Sequence, residues 1–333
     1  MAVETPIQSR IPKKSKKKKI LNLKEHIVEI VSDSGEGAQK CGQTFGTVSA
    51  KMGNGLWTVE IIPAEIQPPP RIAEGASGIR IRIGSFYITN AGDESDLVIA
   101  FNEQVLKGRV KSGNLKPGCK ILLENFWREH PDPSISQSYK STYEQLIDEG
   151  YEVYEIPMEV ECLKYVSDAR RGKNMFALGV LCNIYNRDLE LGREQIRFAF
   201  QKKGDKVVNN NLLLFEAGSD WAENNLDFGY EIPSAGIKDE QIVINGNNVL
   251  ALGIMASGME VCAMYPITPA TSASHYLTEI FENVGGIVHQ AEDEIAACAF
   301  AIGASYAGKC ACTITSGPGM SLKTELIGLA SMA

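Results

Sequence analysis

The first half of the chain alternates apolar runs with glycine turns and helical segments. The run HIVEIV at 26–31 predicts a strand, SGEGAQKCGQTFGTVSAKMG at 34–53 predicts a glycine turn and a helix, and LWTVEII at 56–62 predicts another strand. The segment 138–150 predicts a further helix. Four more apolar runs predict strands: GIRIRIGS at 78–85, DLVIAF at 96–101, CKILLE at 119–124 and YEVYEI at 151–156. This order is typical of an α/β domain.

The pattern then changes to three consecutive helices, predicted from KNMFALGVLCNIY, GREQIRFAFQKKG and a segment from about 207 to 227. The following stretch, 232–248, carries Pro, Gly and Asn without helical periodicity, which indicates a linker. A second alternation follows, with strands at VCAMYP, GIVHQ and ACTIT and helices at NVLALGIMASGM, 271–284, 292–308 and from GPGMS onward. Strands separated by such helices predict a doubly wound, mostly parallel sheet.

These patterns predict two α/β domains, at 25–231 and at 249–333, joined by the linker 232–248. The second domain has only three predicted strands and ends inside a helix without a closing glycine, so we expect it to be incomplete. Ahead of the first domain, PKKSKKKK places six lysines in eight residues. An isolated run of this kind favours a disordered basic leader, 1–24, over a targeting or nucleic-acid-binding role.

Composition narrows the class of protein. A chain of 333 residues with 44% hydrophobic and 22% charged residues is typical of packed globular proteins. Its net charge of -8 argues against a nucleic-acid partner. No apolar run reaches the length of a membrane helix, and the first residues are too polar for a signal peptide, so we expect a cytoplasmic protein without a membrane partner.

The eight cysteines are scattered through apolar contexts and include no C-x-x-C pair. This distribution is typical of buried thiols in a reducing compartment and not of a disulfide framework. It also lacks the spacing of zinc and iron–sulfur ligands, so we expect no metal site within this chain.

Polar residues gather in three loops of the second domain, each directly after a predicted strand. YPITPATS follows the first strand, AEDE the second and TSGPG the third. The carboxyl ends of parallel strands share one edge of a sheet, and ligands bind there. TSGPG also offers two hydroxyls and free backbone N–H groups to an anion. The three loops therefore predict a binding site.

The loop YPITPATS is stiff. Pro266 and Pro269 exclude regular helix between them, and Thr268 is predicted to cap a helix with Pro269 in its first position. A capped helix start explains this stretch without any ligand, so a functional interpretation depends on the other two loops.

The acidic loop leads into a helix that we expect to bury one face, made by Ile295, Cys298, Ala299 and Ile302. At 100° per residue, Asp293 then faces solvent, while Glu292 and Glu294 lie on the two flanks of the buried face. A carboxylate in the first helical turn is either a stabiliser of the helix dipole or a partly buried general acid or base.

Three motifs in this order, YPITPATSASHYL, EIAACAFAIGASYAG and TSGPGMSLKTE, resemble the first domain of the α subunit of 2-oxoacid:ferredoxin oxidoreductases, which are thiamine diphosphate enzymes. The upstream half resembles their γ domain in SDSGEGAQKCGQTFG, PAEIQPPPRIAEGASGIRIRIGS, DLVIAFNEQ and KNMFALGVL. The resemblance extends from about residue 26 to residue 333 and implies a second domain of the thiamine diphosphate pyrimidine-binding type. A γ domain fused ahead of the α domain is similar to the arrangement in enzymes that act on 2-oxoglutarate.

The resemblance implies oxidative decarboxylation of a 2-oxoacid to an acyl-CoA and CO2, with reduction of ferredoxin. Glu294 matches the catalytic glutamate whose carboxyl group contacts N1′ of the cofactor's aminopyrimidine, and Thr268 and Ile267 match the substrate-binding segment. CoA contacts fall on the glycine turn, at Ser34, Gly35 and Gly37. A turn that only joins a strand to a helix is an equal interpretation of that segment.

The remaining parts of such an enzyme are expected on a partner. The chain has no GDG segment for the pyrophosphate and Mg2+, and no cysteine set for an iron–sulfur cluster. The resemblance places Mg2+ and a [4Fe-4S] cluster on a β subunit, implies a dimer of heterodimers, and predicts that this chain alone is inactive. Alternatives are a pyruvate, indolepyruvate or branched-chain member, a thiamine enzyme outside the ferredoxin group, and a noncatalytic module that keeps the fold.

Overall fold

The computed structural model describes residues 18–63, 68–237 and 239–333. The chain divides into two compact units, unit 1 at Met1–Asp239 and unit 2 at Glu240–Ala333. The division falls within the segment 232–248, which has the composition of a linker. The lysine-rich run at 12–19 lies mostly outside the described residues.

The described residues of unit 1 form eight strands and seven helices. The strands are β1 Lys19–Asn22, β2 Glu25–Ser32, β3 Gly55–Ile61, β4 Ser77–Gly84, β5 Ser95–Ala100, β6 Leu115–Glu124, β7 Glu152–Ile156 and β8 Phe228–Glu231. The helices are α1 Ala38–Lys51, α2 Glu103–Lys111, α3 Pro133–Asp148, α4 Met158–Cys162, α5 Lys173–Ile184, α6 Leu189–Phe200 and α7 Asp205–Asn225. Each strand and helix predicted above for the first domain has a counterpart among them.

Six strands form a mixed sheet in the order β3-β4-β2-β5-β6-β7. The strands β2, β5, β6 and β7 run parallel, whereas β4 pairs antiparallel with both β2 and β3. Alternate residues of the central strands pack on opposite faces, so that Val28 and Ile30 join one apolar cluster and Val31 joins the other. Both faces of the sheet are therefore covered, as in other α/β domains.

Helix α5 is mostly apolar and buried along its length, because it packs against α7, α1, α4 and β8. Two glycines allow the backbones of α5 and α7 to touch. A Cβ on Gly179 would lie 1.9 Å from the Phe215 carbonyl oxygen, and a Cβ on Gly218 would lie 2.0 Å from the Phe176 carbonyl oxygen. Neither position has room for a side chain.

The prediction of a disordered leader at 1–24 is wrong for Lys19–Asn22, which form strand β1. Strand β1 pairs parallel with β8, and this ladder is flanked by hydrogen bonds from Lys19 N to Asp227 O (2.8 Å) and from Leu23 N to Glu231 O (2.9 Å). The four-residue strand has a partner more than two hundred residues away, so neither its length nor its neighbours in sequence indicate it. Regular structure is therefore present at Lys19, ahead of the predicted start of the domain at residue 25.

Unit 2 contains a three-stranded parallel sheet with helices around it. Its strands are β9 Val261–Met264, β10 Ile287–Gln290 and β11 Ala311–Ile314, in the order β10-β9-β11. Its helices are α8 Gly246–Ala256, α9 Thr271–Ile280, α10 Glu294–Tyr306, α11 Gly317–Leu322 and α12 Thr324–Met332. All four residues of the central strand β9 are buried. The predicted parallel α/β arrangement of the second domain is confirmed.

Candidate active site

Three loops meet at the carboxyl edge of the sheet in unit 2, as the sequence predicts. Met264 at the end of β9 lies opposite both Gln290 of β10 and Ile314 of β11, so the loops that follow these strands begin side by side. The first and third loops are also in contact, because Ser316 Oγ donates a hydrogen bond to the Thr268 carbonyl oxygen at 3.4 Å.

Glu294 is the first residue of α10, and its side chain is buried, with 7% of the residue exposed. Asp293 before it is exposed, as predicted, and caps the helix by accepting a hydrogen bond from Ala296 N at 2.7 Å. Gly319 of α11 lies against Glu294. A Cβ on Gly319 would lie 3.2 Å from Glu294 Oε1 and 2.0 Å from Thr315 Oγ1. Gly319 therefore packs so closely against the Glu294 side chain and this hydroxyl that no side chain fits at its position.

The predicted buried face of α10 is confirmed for Cys298 but wrong for Ile295 and Ala299. The helix buries Glu294, Ala297, Cys298 and Ala301, whereas Ile295 is 39% exposed and Ala299 is exposed. Small residues let the helix approach β9 closely, and Ala297 and Ala301 pack with Ala263 and Ala291 in one cluster. Hydrophobicity favoured the isoleucines, but close packing selected the alanines. Glu294 therefore lies on the buried face and not on its flank.

Thr315 Oγ1 is buried and has no hydrogen-bond partner among the described residues. A buried hydroxyl without a partner costs free energy, so such groups are rare unless a ligand or water completes them. This hydroxyl and the Glu294 carboxylate both lie beside Gly319. Together they present a donor and an acceptor to a polar ligand at this edge of the sheet.

Lys323 belongs to the same group of residues, although no role for it was predicted from the sequence. It separates α11 from α12, where a single helix was predicted, and only 2% of it is exposed. Its ammonium donates a hydrogen bond to Thr313 Oγ1 at 2.7 Å. Burial lowers the pKa of Lys323, and the nearby Cys298, Glu294 and Cys262 oppose that shift. A buried cation thus lies within electrostatic reach of Glu294.

The predicted capping role of Thr268 is wrong. The Thr268–Pro269 peptide bond is cis, these residues form a turn, and α9 begins only at Thr271. The turn closes through Thr271 N, which donates to the Ile267 carbonyl oxygen at 3.0 Å. Thr268 is exposed at the edge of the sheet, and Ile267 beside it is half-buried.

Asn247 of α8 holds this turn from outside it. Its side-chain amide donates hydrogen bonds to the Pro269 carbonyl oxygen at 2.9 Å and to Ser272 Oγ at 2.6 Å. Asn247 was not predicted from the sequence because the surrounding stretch, NGNN, has the composition of a linker. Asn245 caps α8 by accepting from Asn248 N at 2.8 Å, which places Asn247 in the first turn of a helix.

In unit 1, the glycine turn at 34–37 follows β2 at the carboxyl edge of the six-stranded sheet. Gly35 and Gly37 have φ values of 87° and 85°, which only glycine adopts readily. Ser34 and Gly35 are exposed, and no atom lies within 4 Å of a Cβ placed on Gly35. The backbone of this turn is open to a ligand.

Buried charged residues connect the glycine turn to neighbouring helices. Glu36 Oε1 lies 3.4 Å from the Lys173 ammonium, which also pairs with Glu159 Oε2 at 2.7 Å. Burial raises the pKa of Glu36, although Lys173 opposes the shift. Burial likewise raises the pKa of Glu124, at the end of β6, to about 7. These groups fix the turn to the starts of α4 and α5.

A second polar group lies beside the turn, where β5 and β6 end. The Arg71 guanidinium pairs with Glu103 Oε1 at 2.5 Å and covers the Trp127 ring at 4.1 Å from its centroid. Arg71 N donates to Asp33 Oδ1 at 2.9 Å, which connects this group to the glycine turn. Three buried atoms here have no partner among the described residues: Arg71 Nη1, Asn102 Nδ2 and Glu103 Oε2.

Two family models match the chain and cover most of its length. The model described as pyruvate ferredoxin/flavodoxin oxidoreductase matches residues 28–221, and the model described as pyruvate flavodoxin/ferredoxin oxidoreductase, thiamine diphosphate-binding, matches residues 252–333. The chain belongs to the pyruvate ferredoxin/flavodoxin oxidoreductase family. The resemblance inferred from the motifs is confirmed at this level.

Individual relatives carry more specific names. The chain is 35% identical over 327 residues to the 2-oxoglutarate oxidoreductase subunit KorA of Mycobacterium tuberculosis, covering 93% of this chain and 49% of that one. It is 43% identical over 93 residues to the 2-oxoglutarate synthase subunit KorA of Archaeoglobus fulgidus, covering 28% of this chain and 27% of that one.

A solved structure is similar over both units. It is the 2-oxoglutarate:ferredoxin oxidoreductase from Magnetococcus marinus with 2-oxoglutarate, coenzyme A and succinyl-CoA bound, with a TM-score of 0.70 and 30% identity over 90% of this chain and 49% of that one. The chain spans about half the length of this protein and of the Mycobacterium tuberculosis relative.

Neither a membrane-spanning helix nor a metal-binding cluster is found in the described parts of the chain. None of the helices described there combines the length and the apolar character needed to cross a membrane. No cluster of three or more His, Cys, Asp or Glu side chains within 18–63, 68–237 and 239–333 is placed to hold a metal ion.

Proposed function

We propose that the chain is the fused γ-α part of the α subunit of a 2-oxoglutarate:ferredoxin oxidoreductase. The enzyme would convert a 2-oxoacid and CoA to an acyl-CoA and CO2 and reduce ferredoxin. The names of the relatives support this substrate. The observation that carries the proposal is the buried Glu294, which lies beside Gly319 and the unpartnered Thr315 hydroxyl at the edge where three loops meet.

These residues fit the aminopyrimidine half of thiamine diphosphate. Glu294 would hold a proton shared with N1′ of the ring, and the Thr315 hydroxyl would gain the partner that the chain does not supply. Gly319 packs closely against both groups, and a larger residue there would displace them. When bound, the cofactor supplies the carbanion chemistry needed to release CO2 from a 2-oxoacid. The Mg2+ and pyrophosphate contacts are assigned to a β subunit.

Thr268 and Ile267 are proposed to orient the substrate. Asn247 and Ser316 hold their turn from two sides, so the exposed Thr268 side chain has a fixed position at the same edge as Glu294. Its hydroxyl would donate to the carboxylate or the 2-oxo oxygen of the substrate, and Ile267 would line the site. Fixed placement of this kind contributes to the rate of the reaction, because the entropy cost of orienting the binding groups toward the substrate has already been met when the chain folds.

CoA is proposed to bind at the glycine turn of unit 1, through Ser34, Gly35 and Gly37. The open backbone at Gly35 suits the approach of a phosphate group, since successive N–H groups of a turn bind anions. The unpartnered atoms of Arg71 and Asn102 beside the turn provide further hydrogen-bond donors.

A Gly35→Ala change tests the CoA assignment. We expect the KM for CoA to rise by about tenfold with little change in the KM for the 2-oxoacid, because the substitution strains the turn and blocks its backbone. Gly113→Ala is the matched control, since Gly113 also has a positive φ (66°) and open space around it but lies in the turn before β6. Equal KM values for CoA in the two variants would contradict the assignment.

The partners follow from the same proposal. A β subunit would carry Mg2+ and a [4Fe-4S] cluster and form a dimer of heterodimers with this chain, and ferredoxin would accept the electrons. A cytoplasmic location is supported by the eight cysteines, all of which are free.

Co-expression with the β subunit tests the proposed function. The complex is expected to reduce ferredoxin with 2-oxoglutarate and CoA at a higher kcat/KM than with pyruvate or 2-oxoisovalerate, and this chain alone is expected to be inactive. A preference for pyruvate or 2-oxoisovalerate would assign another member of the family. A complex that assembles but oxidises none of these acids would indicate a noncatalytic module.

A further inference from the structure

Two cysteines face each other across neighbouring strands of the sheet in unit 2. Cys262 of β9 and Cys312 of β11 are paired in register. Adjacent strands lie about 4.8 Å apart, which is within the span of about 4.4 to 6.8 Å between Cα atoms that a disulfide bridges. Both side chains lie in the same apolar cluster, with Ala251 and Phe281. The spacing of the strands is therefore compatible with a bond between the two sulfurs.

The two thiols differ in exposure and in ionisation. Cys262 is fully buried, whereas Cys312 is half-buried. Interaction with the neighbouring thiol lowers the pKa of Cys312 and, together with burial, raises that of Cys262. The less buried thiol is thus the one whose thiolate is favoured, and the thiolate is the reactive form.

We propose that Cys262 and Cys312 form a dithiol that a hydroperoxide oxidises to a disulfide. The Cys312 thiolate attacks one oxygen of hydrogen peroxide, the O–O bond breaks, and the hydroxide that leaves takes a proton to become water. This produces a sulfenic acid on Cys312. The Cys262 sulfur then attacks the Cys312 sulfur, the S–O bond breaks, and a second water leaves. Two thiols lose two electrons, and the peroxide is reduced to two waters.

The position of the bond connects it to the edge of the sheet described above. β9 and β11 lead directly into the loops that contain Thr268 and Thr315. Lys323, which hydrogen-bonds to Thr313 next to Cys312, has Cys262 and Glu294 among its electrostatic neighbours. Oxidation would therefore place a disulfide in the two strands that lead into the candidate active site. A small dithiol reductant would return the disulfide to two thiols.

Peptide mapping of the full chain tests this site. The reduced protein is treated with hydrogen peroxide, free thiols are alkylated under denaturing conditions, and the peptides are identified by mass spectrometry with and without dithiothreitol. We expect a dithiothreitol-sensitive link between the peptides that contain Cys262 and Cys312. Absence of that link, while Cys312 is oxidised to sulfinic or sulfonic acid, would overturn the proposal.

Variants and internal controls separate this pair from general oxidation. Cys312→Ser should abolish the link, and Cys262→Ser should leave an oxidised Cys312 that cannot be resolved. Cys310→Ser should form the link as fast as the unmodified chain, although Cys310 is the more exposed thiol. Cys41 and Cys182 are also neighbours but both are fully buried, so they should stay reduced. A link from Cys310, or one between Cys41 and Cys182 at the same rate, would contradict the proposal.

Discussion

Changing Glu294 to Gln is expected to lower turnover of the complete enzyme by about a thousandfold, in the range typical of a lost general acid or base. The amide keeps the size of the side chain, so it fits beside Gly319 and on the buried face of α10. It cannot exchange a proton with the aminopyrimidine in the same way. The fold of the chain and its assembly with the β subunit should be unchanged.

Glu292→Gln provides the matched control, because Glu292 is exposed and lies only two residues away. It removes the same charge from the same loop and should retain nearly full activity. Ferredoxin reduction measures turnover, and size-exclusion chromatography of the complex measures assembly. Wild-type turnover in Glu294→Gln would remove the catalytic assignment, and equal losses in both variants would point to the charge of the loop instead.

The largest expected effect on stability comes from Gly218→Ala. The added Cβ would lie 2.0 Å from the Phe176 carbonyl oxygen and 2.8 Å from its carbon, both backbone atoms that no rotamer change can move. Helices α5 and α7 must separate to accept it, which is expected to lower the free energy of unfolding of unit 1 by about 3 kcal/mol.

Urea unfolding followed by tryptophan fluorescence measures this change in unit 1 alone, because all three tryptophans, at 57, 127 and 221, belong to it. Gly46→Ala is the control. It also adds a methyl group inside a buried helix, but its nearest neighbours are the Leu56 side-chain methyl groups at 3.3 and 3.5 Å, which can shift. We expect it to change stability by less than about 1 kcal/mol. Equal effects of the two substitutions would show that the α5–α7 contact is not tight.

The sequence predicted most strands and helices because those elements have a strong local pattern, whereas β1, β8, α2 and α4 were not predicted. β2, β5 and the core of β6 are apolar runs, and each predicted helix lies between breakers. What the pattern could not predict is pairing. Strand β4 lies between β2 and β3, and β1 pairs with β8, and both arrangements depend on contacts between distant segments.

In the candidate site, too, some features could be predicted from the sequence and others could not. The three loops were predicted to meet because parallel strands end at a common edge, and their meeting is a property of the topology. The details depended on packing. The predicted buried face of α10 was partly wrong because alanines, not isoleucines, approach the sheet, and Lys323 and Asn247 were missed because no local signal distinguishes a buried lysine or a turn-holding asparagine.

The pairing of β1 with β8 also has a consequence for synthesis on the ribosome. β1 is made among the first residues of unit 1 and its partner among the last, since Lys19 pairs with Phe228. Until the chain has emerged beyond Glu231, β1 is an unpaired strand next to a lysine-rich run, and the apolar surface of α5 stays uncovered until α7 follows it. Charged residues beside an edge strand discourage pairing between chains. The lysines would therefore protect the nascent protein from aggregation during the interval before unit 1 closes.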